Sequence, residues 1–143
     1  MSVEPIDLIR LEGEGNSVVL RITGRDARGP HGEADVLVGE FRVDTPFVRG
    51  TLRTWVFPGD LGQWQSALDL LDAGKDIAWR EGTRAPSLFV ERDEDDDRCQ
   101  VTVTDDSTSL TTVTVTVPLT DAWFDEAYRR LDQVRDMWGA DEV

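Results

Sequence analysis

The chain has 143 residues, with 29 acidic and 15 basic side chains and a formal charge of −14. Its length suits one domain of roughly 100–200 residues, taken as 1–143, and 39% hydrophobic residues can fill a core as a disordered acidic tail cannot. A pI of about 4.3 argues against unassisted binding to nucleic acid or anionic lipid, one cysteine rules out an internal disulfide, and one histidine leaves no His-based metal cluster.

No apolar run approaches the ~18 residues of a membrane span, and residues 1–10 lack a basic region followed by an apolar one. A soluble cytoplasmic protein without a secretory signal is expected. Fourteen arginines against one lysine (Lys75) and one asparagine (Asn16) follow the codon supply of a GC-rich genome. Codon supply does not explain the acidity.

Residues 6–11 and 17–23 read as strands joined by the turn Glu12-Gly13-Glu14-Gly15-Asn16. In the second, Val18, Leu20 and Ile22 share one face and Arg21 and Thr23 the other, the alternation of a half-buried antiparallel strand. Gly and Pro mark 24–32 as a loop. Residues 35–44 and 47–57 then form a hairpin about Asp44-Thr45-Pro46, with Leu37, Phe41 and Val43 on one buried face and Val48, Leu52 and Val56 on the other strand's. Gly39 and Gly50 on those faces predict a bulge or close packing.

After Pro58-Gly59 the period changes. Leu61, Trp64, Leu68 and Leu71 recur at helical spacing, with Asp60 as N-cap, Gln63 completing a capping box and Gly74 as the left-handed terminator. Residues 76–80 fit a short strand or a turn. Residues 87–92 and 98–104 flank an acidic turn, and 110–117 follows. Cys99, Val101 and Val103, then Val113, Val115 and Val117, line the dry face, while threonines line the wet one. Thr120 caps a last helix running from 121 to about 138, whose buried stripe is Trp123, Phe124, Ala127, Leu131, Val134 and Trp138. Glu126 with Arg130 and Asp125 with Arg129 are favourable i,i+4 pairs. No strand–helix–strand alternation calls for a parallel sheet. The expected fold is α+β: a single curved antiparallel sheet of about seven strands with two helices on one face.

No Walker loop, dinucleotide fingerprint, nucleophile elbow or zinc spacing occurs. His31 sits in a polar loop without an assignable nucleophile, and Cys99 reads as a small core residue. Asp93, Asp95 and Asp97 have calcium-loop spacing, but Arg98 and Thr104 replace the required glycine and glutamate. No catalytic, metal or cofactor site is expected. The acidic run Asp93, Glu94, Asp95, Asp96, Asp97 is either a solvated hairpin turn or a docking loop for a basic partner. Asp105 and Asp106 extend that acidic surface. Arg42, Arg49 and Arg53 face outward from the central hairpin, where they either pair across strands with Glu40 or grip an anion. Trp55 and Trp79 are the less clearly buried tryptophans and so the better contact candidates.

Over nearly its whole length the chain resembles a family of short actinobacterial proteins of unknown function. The resemblance is carried by Leu8-Ile9-Arg10-Leu11, Glu14-Gly15-Asn16-Ser17-Val18, Phe47-Val48-Arg49-Gly50 and Asp60-Leu61 with Trp64, Ala67-Leu68 and Ala73-Gly74. It closes on Val117-Pro118-Leu119 with Trp123, Leu131 and Trp138. These are core and turn positions, so the resemblance implies a fold and no catalytic residues. The layout is also similar, more loosely, to small immunity proteins that neutralise polymorphic toxins. That likeness implies a cytoplasmic, non-catalytic inhibitor whose acids meet a basic partner protein. The other expectations are a small-ligand protein or enzyme with a pocket between sheet and helices, using Arg49, Arg53 or His31, and an oligomeric scaffold component.

Overall fold

In the computed structural model the protein is described over residues 4–28, 34–93 and 97–139. The first half builds β1 (Ile6–Gly13), β2 (Asn16–Arg28), β3 (Ala34–Asp44) and β4 (Arg49–Val56), followed by α1 (Pro58–Asp72). The second builds β5 (Ile77–Trp79), β6 (Ser87–Asp93), β7 (Arg98–Asp105) and β8 (Thr111–Pro118), followed by α2 (Asp121–Gly139).

The strands form two antiparallel four-stranded sheets, β1-β2-β3-β4 and β5-β6-β7-β8, which corrects the expected single sheet of about seven strands. The class remains α+β. Every strand pairs with its neighbour in the chain, so local alternation describes one long meander and two short ones equally well. The break comes from Pro58-Gly59 and α1, which carry the chain away from β4 before β5 pairs forward with β6. The halves repeat an order, four strands then a helix, without a recognisable sequence repeat.

Two further boundaries differ from expectation. The segment from Gly24 to Arg28 continues β2 past a register shift between Ile22 and Gly24, instead of opening a loop. Asp60 is the third residue of α1, not its N-cap. Pro58 starts the helix, and the Asp60 carboxylate reaches back to accept the Phe57 N–H at 3.0 Å. Gly74 ends α1 with φ +90°, as its position requires.

One apolar cluster joins both sheets and both helices, with Leu20, Phe41, Trp64, Trp79, Val101 and Leu131 almost wholly buried within it. Trp79 is 1% exposed, so it belongs to the core and not to a contact surface. Trp123, expected in the buried stripe, is only half-buried and donates its indole N–H to the Arg10 carbonyl at 2.7 Å. The Trp138 side chain lies outside the described ones. On α2, Glu126 accepts from Arg130 at 3.4 Å and from Arg129 at 2.9 Å, so Arg129 takes this partner in place of Asp125. Cys99 is fully buried, and burial pushes its thiol up to about 12.

β8 runs across the tips of the first sheet's hairpins. Asn16 donates its side-chain N–H to the Thr116 carbonyl at 2.9 Å. A Cβ on Gly13, whose φ is +151°, would stand 2.6 Å from Pro118 Cγ. Glycine is therefore required there.

β4 is an edge strand, and its register tells which of its backbone groups face outward. Antiparallel pairs alternate between those that exchange hydrogen bonds and those that do not. The Thr45 N–H donates to the Val48 carbonyl at 2.8 Å, closing the hairpin. Asp44–Arg49, Arg42–Thr51, Glu40–Arg53 and Val38–Trp55 are then the pairs whose strand partners turn away from one another. The Trp55 carbonyl agrees, since it accepts from Arg80 Nη1 at 2.9 Å. Arg49, Thr51 and Arg53 thus present backbone groups to the open edge, while Gly50 bonds to Val43.

Proline substitution checks this register. Thr51→Pro removes only an outward N–H and should change stability by less than ~1 kcal/mol. Gly50→Pro removes a ladder bond at a site with free space for a side chain, and should cost ~1–3 kcal/mol in urea unfolding. Equal effects of the two would reverse the assignment.

Candidate functional site

A groove follows the open edge of β4 for its whole length. At one end Thr45, Pro46, Phe47 and Val48 face Val113 to Thr116 of β8. The middle, about 290 Å³, is lined by Val48, Leu52, Val103, Ser109 and Val113. The wide end, about 410 Å³, lies between Leu52, Arg53, Trp55 and Phe57 on one side and Arg80, Pro86, Ser107 and Thr108 on the other. Val48 and Val113 border the first two stretches, Leu52 and Asp105 the last two, so the depression is continuous.

Arg80 builds the wide end. Its residue is 3% exposed, yet it carries a guanidinium. Nε donates to the Pro86 carbonyl at 3.1 Å, Nη1 to the Trp55 carbonyl at 2.9 Å and Nη2 to Thr54 Oγ1 at 2.8 Å. The group lies 4.8 Å from the Trp79 ring centroid and 5.7 Å from that of Phe41. Burial lowers its pKa to about 10, against the opposing pull of the Asp60 carboxylate at 3.8 Å. It therefore stays charged at neutral pH. Its backbone is left-handed (φ +63°), and its carbonyl accepts from Thr83 Oγ1 at 2.8 Å and from the Thr83 N–H at 3.3 Å. The loop after β5 is in this way wrapped around one residue. Trp79 adds a tie from its indole N–H to the Asp60 carbonyl at 2.9 Å.

Asp105 shapes the opposite wall. It was expected on an acidic contact surface, but it is 3% exposed and holds the turn after β7. Its carboxylate accepts the Ser109 N–H at 2.8 Å, the Ser109 hydroxyl at 2.7 Å and the N–H groups of Ser107 and Thr108 at 3.2 Å. Those bonds, the Ser109 pair foremost, hold its carboxyl down at about 2. Four donors within one short turn capture this acid before any partner can, which single-letter charge counting does not reveal. Ser107 Oγ donates to the Arg84 carbonyl at 2.8 Å, so the two loops of the wide end are joined.

Of the other expected contact residues, Trp55 and Arg53 line the wide end, with the Arg53 guanidinium 5.0 Å from the Trp55 ring centroid. Arg49 is on the same strand but pairs with Asp44 at 3.2 Å, and Arg42 pairs with Glu40 at 2.7 Å. Asp93, Asp97 and Asp106 are exposed, while Glu94, Asp95, Asp96 and His31 lie outside the described residues. The turn bearing Asp97 and the turn bearing Asp106 sit at opposite ends of β7, about 24 Å apart for seven residue steps. Of the described acids expected at a contact surface, Asp105 lines the wide end with Arg53 and Trp55, while Asp93, Asp97 and Asp106 do not. Arg84, Phe47 and Arg80 were missed by sequence reasoning.

A larger but open depression of about 630 Å³ involves Asp7, Arg21, Arg130 and Gln133. Within it Arg21 Nε meets Asp7 at 2.8 Å, which raises the Arg21 pKa, and Arg130 pairs with Glu126 at 3.4 Å. Among the described residues no group of three His, Cys, Asp or Glu could hold a metal, and no helix is long and apolar enough to cross a membrane.

The model of a family of unknown function, DUF5959, matches residues 6–139. The chain belongs to this family. No curated protein and no solved structure matches the chain. The match runs from the first residue of β1 to the last of α2, so the groove of this DUF5959 member lies within the family's shared unit.

Two measurements check this account. Arg80→Leu leaves Thr54 and two carbonyls without their buried donors and should cost ~3 kcal/mol or more, with Arg80→Lys failing to restore it because one ammonium cannot span three acceptors. The native Asp105 carboxyl stays ionised down to about pH 2, whereas an unfolded aspartate protonates near pH 3.9. Its bonds therefore stabilise the fold fully above pH ~4, and that contribution fades between about pH 4 and 2. The difference in melting temperature between wild type and Asp105→Asn should be largest at neutral pH and shrink across that window.

Proposed function

We propose that this protein is a non-catalytic binding module that holds an extended segment of a partner protein along β4. The observation that carries this reading is the coincidence of an open strand edge with a groove. Arg49, Thr51 and Arg53 turn backbone donors and acceptors outward, and a strand laid against them finds lining side chains along the whole of β4. Main-chain hydrogen bonds supply affinity in such strand addition, and alternate side-chain pockets supply selectivity. Phe47, 95% exposed at the hairpin tip, gives the apolar anchor that interfaces favour.

A second reading is an immunity or antitoxin-like inhibitor that meets a basic toxin domain through its acids. The formal charge of −14 supports it, as do the exposed Asp93, Asp97 and Asp106. Either way we place the protein in an actinobacterial cytoplasm, a reading supported by arginine-biased composition and the single, buried cysteine.

Capture from the native host distinguishes the two. With wild-type protein as bait, Thr51→Pro and Phe47→Asp should each lose the partner while keeping the wild-type melting temperature. Neutralising 93–97 to Asn and Gln should leave capture intact. Loss of capture only in the neutralised loop variant would discard the groove in favour of the acidic surface.

A further inference from the structure

We propose that the wide end of the groove is a binding site for an organic anion with an apolar body, a carboxylate or phosphate carried on an aliphatic or aromatic group. It deepens the strand-addition reading and rests on the groove being the binding face.

The walls supply the apolar part through Leu52, Trp55, Phe57 and Pro86. The charge comes from Arg53 and Arg84, which both line the space. Neither makes an ion pair with a described carboxylate, in a chain holding 29 acids for 15 bases. Elsewhere on the same sheet the exposed arginines are paired: Arg42 with Glu40 and Arg49 with Asp44. The acids that do line the cleft are already engaged. Asp60 accepts the Phe57 N–H and faces Arg80, and Asp105 is consumed by Ser107, Thr108 and Ser109. Their charges cannot turn toward Arg53 or Arg84 without undoing a helix start or a turn.

Three further features favour an anion. The N-terminal turn of α1, with its partial positive charge, opens on the cleft at Phe57 and Asp60. The Arg53 guanidinium lies over the Trp55 ring, 5.0 Å from its centroid, and a guanidinium fork suits a two-pronged bond to a carboxylate or phosphate. The Thr108 hydroxyl adds a donor at the rim, while the hydroxyls of Thr83 and Ser107 are spent on the Arg80 and Arg84 carbonyls. A ligand's hydrocarbon part meets the Trp55 and Phe57 rings while its charged end meets the arginines. The same chemistry is offered by a free small acid and by an acidic residue or carboxyl terminus of a bound segment.

Nitrogen-15 heteronuclear NMR on the full chain tests this with phenylacetate, phenyl phosphate, the neutral phenylacetamide and the cationic phenethylamine. The two anions should shift the Trp55 indole, the Arg53 and Arg84 Nε–H signals and the Ser107 and Thr108 amides in a saturable way. Phenylacetamide should bind about tenfold more weakly or worse, phenethylamine should not bind, and the Arg53→Gln, Arg84→Gln double variant should erase the preference for acid over amide. Equal binding of acid and amide, shifts lying elsewhere, or no binding by either anion up to its solubility limit would overturn the site. Acetyl-Val-Thr-Val-Phe, as free acid and as C-terminal amide, separates the sources. A segment terminus is indicated if the free acid binds more tightly than phenylacetate and also shifts the Arg49, Thr51 and Arg53 amides. A free small acid is indicated if phenylacetate binds and the peptide does not. Partner capture abolished by Thr51→Pro, with neither anion bound, overturns the anion site and leaves strand addition standing. Acid-selective binding with capture insensitive to Thr51→Pro does the reverse.

Discussion

The guanidinium of Arg80 is the contact on which the arrangement of the two halves turns. It starts at the end of the short β5, and its three nitrogens end on Thr54, Trp55 and Pro86. Two of those acceptors belong to the edge of the first sheet and one to the loop entering the second. Taking a charge out of water costs several kcal/mol, and here three hydrogen bonds, two aromatic faces and the Asp60 carboxylate offset it. A leucine in this place could slide by a few tenths of an ångström without loss. Three directional bonds cannot, so the sheets meet in one register and the walls of the groove hold their spacing.

Charge in this molecule is sorted by position as well as by sign. Asp93 and Asp97 face water at one end of the second sheet, while the other end meets Arg53 of β4 and the loop carrying Arg84. Asp105 looks, in the sequence, like one more unit of surface charge beside Asp106. Folded, one of this pair faces inward as a turn-maker and the other faces solvent. A groove with unpaired arginines inside a strongly acidic surface repels most anions at long range and rewards only one that brings an apolar body to the wall.

Much of the fold was legible because period-two and period-3.6 patterns report local burial directly. β1, β7, β8 and both helices follow from them, as does the buried Cys99. The split into two sheets was not legible, since each strand pairs with its sequence neighbour under either arrangement and the decision falls to α1 and the tertiary fit. For the groove, Trp55 and Arg53 announced themselves as outward residues on a strand. Arg80 did not. Alternation along Ile77, Ala78 and Trp79 points the next side chain outward, and only the left-handed backbone at Arg80 turns it back into the core. Arg84 and Phe47 sit in short turns, where no periodicity exists to read.

The shared core has a consequence for the time course of synthesis. The first sheet and α1 leave the ribosome before the strands and the helix that cover their apolar face have been made. The last of these, α2, lies against β1 and contributes Phe124 and Leu131. At roughly 5–20 residues per second, the stretch of about 67 residues from Asp72 to Gly139 takes about 3–13 s to translate. For that interval a nascent chain displays Leu20, Phe41 and an open strand edge to its neighbours on the same message. Arg49 and Arg53, flanking Thr51 on that edge, then act as guards: strands from adjacent nascent chains that try to add there bring like charges face to face.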